Sequence, residues 1–109
     1  MANEYLTRTP TSTGNRQTFT ISFWTKNNQA GGNFFQQRED SNSTDQVSIQ
    51  HRTPEDYLRV LVNDGGDVES LHDSLAVLRD FSGWQNIVVA FNTTIDLAED
   101  RVKIYVNGV

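Results

Sequence analysis

The chain has 109 residues, 36% of them apolar, and its 14 acidic against 9 basic residues give a net charge of −5. This length corresponds to one domain. The acidic balance, with the bases scattered singly, excludes a general nucleic-acid binder because phosphate backbones would be repelled. Because the sequence contains no cysteine, disulfides, thiolate metal sites and thiol nucleophiles are excluded.

The amino terminus lacks the pattern of a secretory signal peptide, since neither a basic stretch nor an apolar stretch follows Met1. No segment approaches the roughly 20 apolar residues that a membrane-spanning helix needs. We therefore expect no membrane insertion, and a location in a virion or outside a cell that is reached without a classical signal peptide.

Short runs rich in β-branched and aromatic residues, separated by Gly, Asn, Asp and Pro, predict strands along the chain. The first run, Gln17–Lys26, alternates with Phe19, Ile21 and Phe23 on one face and Trp24 on the other. A glycine turn is predicted over Asn27–Asn33 and a short strand over Phe34–Gln37. A polar loop over Glu39–Asp45 leads to a strand over Gln46–Arg52, with Val47 and Ile49 inward.

After a break at Thr53-Pro54, the run Tyr57–Asn63 alternates again, and Asp64-Gly65-Gly66-Asp67 is a strong turn signal between two strands. The following run, Val68–Arg79, fits a short helix or a strand. We favour a strand because strands flank it, and the choice between helix and strand over 70–78 stays open at this stage.

The clearest strands are Gln85–Thr94 and Arg101–Val106, joined by an acidic connection that we expect to be exposed. Their inward residues are predicted to be Ile87, Val89, Phe91, Val102, Ile104 and Val106. Seven or eight short strands about 8–14 residues apart, with no segment that favours a helix over a strand, indicate an all-β antiparallel sandwich or barrel.

The chain ends on Asn107-Gly108-Val109, although Asn-Gly is the strongest short-range hairpin signal and a second strand would be expected after it. Three interpretations are open: a truncated domain, a strand supplied by a partner chain, or a frayed terminus. The second interpretation makes the final segment an assembly edge formed by Tyr105, Val106, Asn107, Gly108 and Val109.

Two segments near the end, Trp84–Phe91 and Arg101–Gly108, resemble the paired strands of laminin-G/pentraxin-type domains in the concanavalin A-like lectin/glucanase superfamily. The run Phe19–Lys26 resembles an early strand of that family, and Tyr5–Pro10 is similar to a subgroup common in phage tail and virion proteins. The resemblance implies one β-sandwich domain of jelly-roll type over 1–109. By the same resemblance, we expect this domain to lack the C-terminal strands of the family and to be truncated.

No catalytic residues are identified, so the chain is not expected to be an enzyme. Glycosidases of this fold carry a Glu-x-Asp-x-x-Glu strand that holds two carboxylates about 5.5 Å apart, and that motif is absent. The adjacent acids Glu55 and Asp56 would point to opposite faces of a strand. His51 and His72 lack the spacing of metal ligands.

Three aromatic residues, Trp24, Tyr57 and Trp84, are candidates for stacking on a sugar, although core packing is the leading interpretation of Trp84. The family resemblance also implies loop-bound Ca²⁺, for which Asn63, Asp64 and Asp67 are the candidate ligands. A solvated acidic hairpin is the alternative for these three residues.

Two hypotheses of different class follow. In the first, the chain is a structural virion (phage-type) or filament subunit that forms homo-oligomers, or joins other virion subunits, through exposed sheet edges. In the second, it is a calcium-assisted carbohydrate-binding module for host or surface recognition. The two are compatible, and an enzyme is a distant third. The sequence does not specify the ligand, the host or the number of subunits.

Overall fold

The computed structural model describes residues 6–7, 9–26, 31–38, 44–80 and 82–109. These ranges contain strands and one short 3₁₀ turn over Ala98–Asp100. The strands are β1 (Thr18–Thr25), β2 (Gly32–Arg38), β3 (Gln46–Arg52), β4 (Tyr57–Asp64), β5 (Asp67–Val77), β6 (Gln85–Asn92) and β7 (Val102–Val106).

Two antiparallel sheets pack face to face. The three-stranded sheet has the order β1-β6-β7 and the four-stranded sheet the order β2-β3-β4-β5. Apolar side chains from both sheets meet in one core. The predicted all-β antiparallel sandwich is therefore confirmed, and it agrees with a concanavalin A-like fold.

The core forms because strand alternation sends every second side chain between the sheets. Ring contacts also occur there: Phe19 stacks on Phe91 at 4.5 Å between ring centroids, and Phe23 lies 5.6 Å from Phe34. The inward faces predicted for the first strand, for β3 and for the last two strands are confirmed. The fully buried apolar residues are Ile49, Leu58, Val60, Leu78, Ile87 and Val89.

The hairpin between β4 and β5 forms as predicted. Asp64 pairs with Asp67 across a two-residue turn, and Gly65 (φ 60°) and Gly66 (φ 93°) occupy the left-handed region. Both central residues of a type I′ turn need positive φ, which explains the Gly-Gly pair. Of the other predicted loops, residues 27–30 and 39–43 lie outside the described ranges.

The open question over 70–78 is answered by β5, which is a strand. Its apolar side chains, however, point outwards: Leu71 and Val77 are almost half exposed and Leu75 is fully exposed. The cause is a β-bulge, because Asn63 pairs with Val68 whereas the preceding residue of β4, Val62, pairs with Ser70. One extra residue on β5 exchanges its two faces.

Candidate functional site

The side of the sandwich where β5 and β7 end their sheets, called here the open side, carries a cleft. Both strands are last in the order of their sheets, and they contact each other. The cleft has a volume of about 400 Å³. Polar and apolar side chains of β5 line one wall and apolar side chains of β7 the other, among them His72, Ser74, Leu75, Val102, Ile104 and Val106.

The outer edge of β7 presents backbone groups that no described strand pairs with. On the inner edge, Asn107 N–H donates to the carbonyl of Asn86 and Asn92 N–H donates to the carbonyl of Arg101, both at 2.8 Å. Because hydrogen-bonding direction alternates along an antiparallel strand, the N–H and C=O groups of Val102 and Ile104 point away from β6. An unpaired edge of this kind is a template for another strand.

The Asn-Gly turn after β7 does form. Val106 and Val109 exchange two backbone hydrogen bonds of 3.2 Å each, and Asn107 (φ 53°) and Gly108 (φ 83°) adopt the left-handed conformation that the turn needs. Val109 therefore occupies the position opposite Val106 on the outer side of β7.

The assembly edge predicted at Tyr105–Val109 stays a prediction, and the structure shows which bonds its residues form within the chain. Val106 and Val109 bond to each other, and Tyr105 pairs with Val88 of β6. The outward-pointing backbone groups belong to Val102 and Ile104, which sequence reasoning did not single out. The direction of backbone hydrogen bonds alternates along an antiparallel strand, so counting residues back from the Asn-Gly turn would have identified them.

Trp24 and Trp84 lie at the same end of the three-stranded sheet, on its outer face. Trp24 pairs with Asn86, and Trp84 precedes Asn86 by two residues, so that the two indoles are diagonal neighbours across β1 and β6. Their exposed fractions are 67% and 65%. The leading interpretation of Trp84 as a core residue is wrong, because its alternation matches the outward residues of β6.

Tyr57 lies on the other sheet, so the three candidate stacking residues do not share one site. The Arg59 guanidinium donates to the Tyr57 hydroxyl at 2.9 Å and to both Asp73 carboxylate oxygens at 2.8 and 2.9 Å. The hydrogen bond from Arg59 lowers the pKa of Asp73, and the same bond raises the pKa of Arg59. Both groups are partly exposed, which limits the contribution of the pair to stability.

The candidate calcium ligands Asn63, Asp64 and Asp67 stand together at the hairpin between β4 and β5. Asp64 and Asp67 are exposed, and Asn63 Oδ1 is buried without a hydrogen bond from the described residues. A hollow of about 600 Å³ beside Asn63 and Asp64 is also lined by two guanidinium groups, those of Arg16 and Arg38. Calcium takes 6–8 oxygen ligands, so this donor set needs water molecules or a ligand to complete it.

No group of three or more His, Asp or Glu side chains in the described ranges is arranged to hold a metal ion. His51 is buried for a structural reason: its Nδ1 accepts from Gly31 N–H at 3.2 Å, and its Nε2 lies 3.4 Å from the Asp56 carboxylate. The sequence signal for this role was its inward position in β3, alternating with Val47 and Ile49. No helix among the described residues is long and apolar enough to cross a membrane.

Residues 2–109 match a family model of laminin-G type that is described as the concanavalin A-like lectin/glucanases superfamily. The match covers nearly the whole chain. Comparisons with curated proteins and with solved structures gave no match.

Proposed function

Because the chain belongs to the concanavalin A-like lectin/glucanase superfamily, we propose that it is a non-catalytic structural and adhesion subunit that assembles through its sheet edges. The single observation that carries this proposal is the open side, where an unpaired edge of β7 borders a cleft of about 400 Å³. The partner is a second copy of this chain or another subunit of the same assembly.

A stable interface needs more buried area than one edge strand supplies, which favours the use of the edges of both β5 and β7. A specific interface buries about 1,200 Å² or more in total, which exceeds what one five-residue strand supplies. The edges of β5 and β7 lie on the same side of the sandwich, so a second copy placed there extends both sheets at once. Leu75 and Val77, which are exposed on β5, then become covered.

The setting that we propose is a virion of phage type or an extracellular filament. Support comes from the sequence, where Tyr5–Pro10 is similar to the opening of domains found in phage tail and virion proteins. In such an assembly the outer face of the three-stranded sheet stays accessible, which leaves it available for adhesion.

The test is the mass of the protein in solution, measured by light scattering on a sizing column. We expect an oligomer for the unmodified chain and a shift towards monomer for Leu75→Lys, because a charge on an edge strand opposes pairing. The matched control is Leu97→Lys, an exposed leucine in the loop before the 3₁₀ turn, which should leave the mass unchanged. A monomeric unmodified protein, or equal masses for the two variants, would overturn the proposal.

A second candidate function is calcium-assisted carbohydrate binding at the hairpin between β4 and β5. The observation that favours it is the buried Oδ1 of Asn63, to which no described residue donates a hydrogen bond, beside the carboxylate of Asp64. Calcium titration by calorimetry should show binding that Asp64→Asn abolishes and that Asp96→Asn, a substitution of an exposed acid in another loop, preserves. Identical heats for all three proteins would exclude this candidate.

A further inference from the structure

The two strands of the open side differ in how regular their outer edges are. The pairing of β6 with β7 runs without a register shift, whereas the pairing of β4 with β5 shifts at two places. Leu75 lies within one of these shifts and is fully exposed. Because bulges bend an edge strand and interrupt its row of hydrogen-bonding groups, a second copy that adds to the open side would take its register from β7.

The backbone groups of β7 leave few registers for a second copy. Val102 and Ile104 direct their N–H and C=O groups away from β6, but those of Val106 are already bonded to Val109, and Asp100 lies in the 3₁₀ turn. Two β7 strands related by a twofold axis form both possible hydrogen-bonded pairs only when Val102 faces Ile104 of the partner subunit. An axis between two Ile104 residues would form only one such pair.

The register with both pairs puts Lys103 on the twofold axis. Lys103 lies between Val102 and Ile104, so it faces Lys103 of the partner subunit at a non-hydrogen-bonded position, with about 4.5 Å between the Cα atoms. Both lysine side chains lie on the outer face, because Lys103 is exposed and alternates with the inward Val102 and Ile104. Like charges directly opposite each other on neighbouring strands are destabilising.

The charge of Lys103 is exposed to this second lysine. Its cross-strand neighbour in β6 is Ala90, which carries no charge. None of the salt bridges in the described part of the chain includes Lys103. The two ammonium groups would therefore meet across the axis without a bound carboxylate from their own chains.

We propose that two copies of the chain pair antiparallel through β7 about a twofold axis at Lys103, and that the charge at this position sets how tightly they pair. This inference rests on the edge assembly proposed above and adds the partner strand, its direction and the residue at its centre. Repulsion across the axis keeps the contact weak. A partner that carries a carboxylate at the same position pairs more tightly, because it replaces repulsion with attraction.

The experiment mixes the unmodified chain with Lys103→Glu and measures the mean mass by sedimentation equilibrium, at a concentration where each protein alone is partly dissociated. In the mixed dimer a lysine faces a glutamate, so its affinity should exceed that of either protein alone by about 2- to 30-fold. The matched control is Lys26→Glu, which makes the same change of charge at an exposed lysine just after β1, the strand at the opposite edge of the same sheet. Its mixture with the unmodified chain should show no gain in mass.

The outcomes distinguish this inference from the assembly on which it rests. Monomers in every sample would refute edge assembly and this inference with it. Oligomers that gain no mass when Lys103→Glu is mixed in would leave edge assembly standing and refute the axis at Lys103. That result is expected for an axis through Ile104, since Lys103 would then face Tyr105 of the partner subunit. An equal gain with Lys26→Glu would assign the effect to net charge and would also overturn the inference.

Discussion

The neighbouring residues Phe23 and Trp24 give a sharp test of how β1 is placed. They are adjacent in sequence, yet alternation sends Phe23 into the core beside Phe34, at 5.6 Å between ring centroids, and leaves Trp24 67% exposed. Truncating the smaller ring should therefore cost far more stability than truncating the larger one.

The magnitudes follow from burial. Removing a fully buried phenylalanine side chain costs about 3–5 kcal/mol, and since Phe23 is only partly buried, we expect about 2–3 kcal/mol for Phe23→Ala. Trp24→Ala should change the free energy of unfolding by no more than about 0.5 kcal/mol, as is usual for exposed sites. For a domain of about 100 residues, 1 kcal/mol corresponds to roughly 4–8 °C in Tm, so Phe23→Ala should lower Tm by about 10–20 °C.

Far-ultraviolet circular dichroism should follow the unfolding, because it does not depend on the tryptophan that one variant removes. The two variants are compared with the unmodified chain in urea and on heating, at several protein concentrations. A loss for Trp24→Ala as large as for Phe23→Ala would refute the reasoning. If the stability loss of Trp24→Ala did not vary with protein concentration, it would not come from a contact between subunits. The strand β1 would then be shifted by one residue, which exchanges its faces.

Three further predictions concern the core, an ion pair and a turn. Leu58→Ala should cost about 2–5 kcal/mol in urea unfolding, because its side chain is fully buried; a cost below about 1 kcal/mol would contradict its place in the core. Asp73→Asn should cost at most about 1 kcal/mol at neutral pH, since its partner Arg59 is partly exposed. Because the folded state lowers the pKa of Asp73, the stability that the ion pair contributes is present above the ordinary pKa of about 3.9 and is lost as the pH falls through the lowered value. The difference in unfolding free energy between the unmodified chain and Asp73→Asn should therefore shrink on acidification, and a difference that grew would contradict the prediction. Gly65→Ala should cost about 1–2 kcal/mol through backbone conformation alone, since φ is +60° and nothing lies within 4 Å of the added methyl group; unchanged thermal stability would show that the turn is of another type.

Much of the fold could be predicted from local sequence pattern. Period-2 alternation in Gln46–Arg52 and Gln85–Thr94 identified both the strands and their inward faces, because a half-buried strand must alternate. The two glycines at the hairpin between β4 and β5 marked a turn that only positive φ allows. These features depend on a few neighbouring residues, so the sequence contains all the information that they need.

Other features depend on contacts between distant residues and could not be predicted. The alternation of β5 predicted a strand but not its orientation, because a single bulge opposite Val62 and Asn63 turns Leu71 and Leu75 outwards. Trp84 is a different case, because its parity with Asn86 is a local signal that places it on the outer face, and its hydrophobicity alone favoured the core. That Trp24 and Trp84 share one face follows from the pairing of β1 with β6, which are separated by some sixty residues.

Amide hydrogen exchange along β7 tests assembly through the sheet edge most directly. Lys103 and Tyr105 bond to β6 within one chain, whereas the N–H groups of Val102 and Ile104 point to the open side. If a second copy pairs there, all four amides should exchange slowly in concentrated protein, and only those of Val102 and Ile104 should accelerate on dilution. Exchange of Val102 and Ile104 at the rate of exposed loop amides at every concentration would contradict edge assembly.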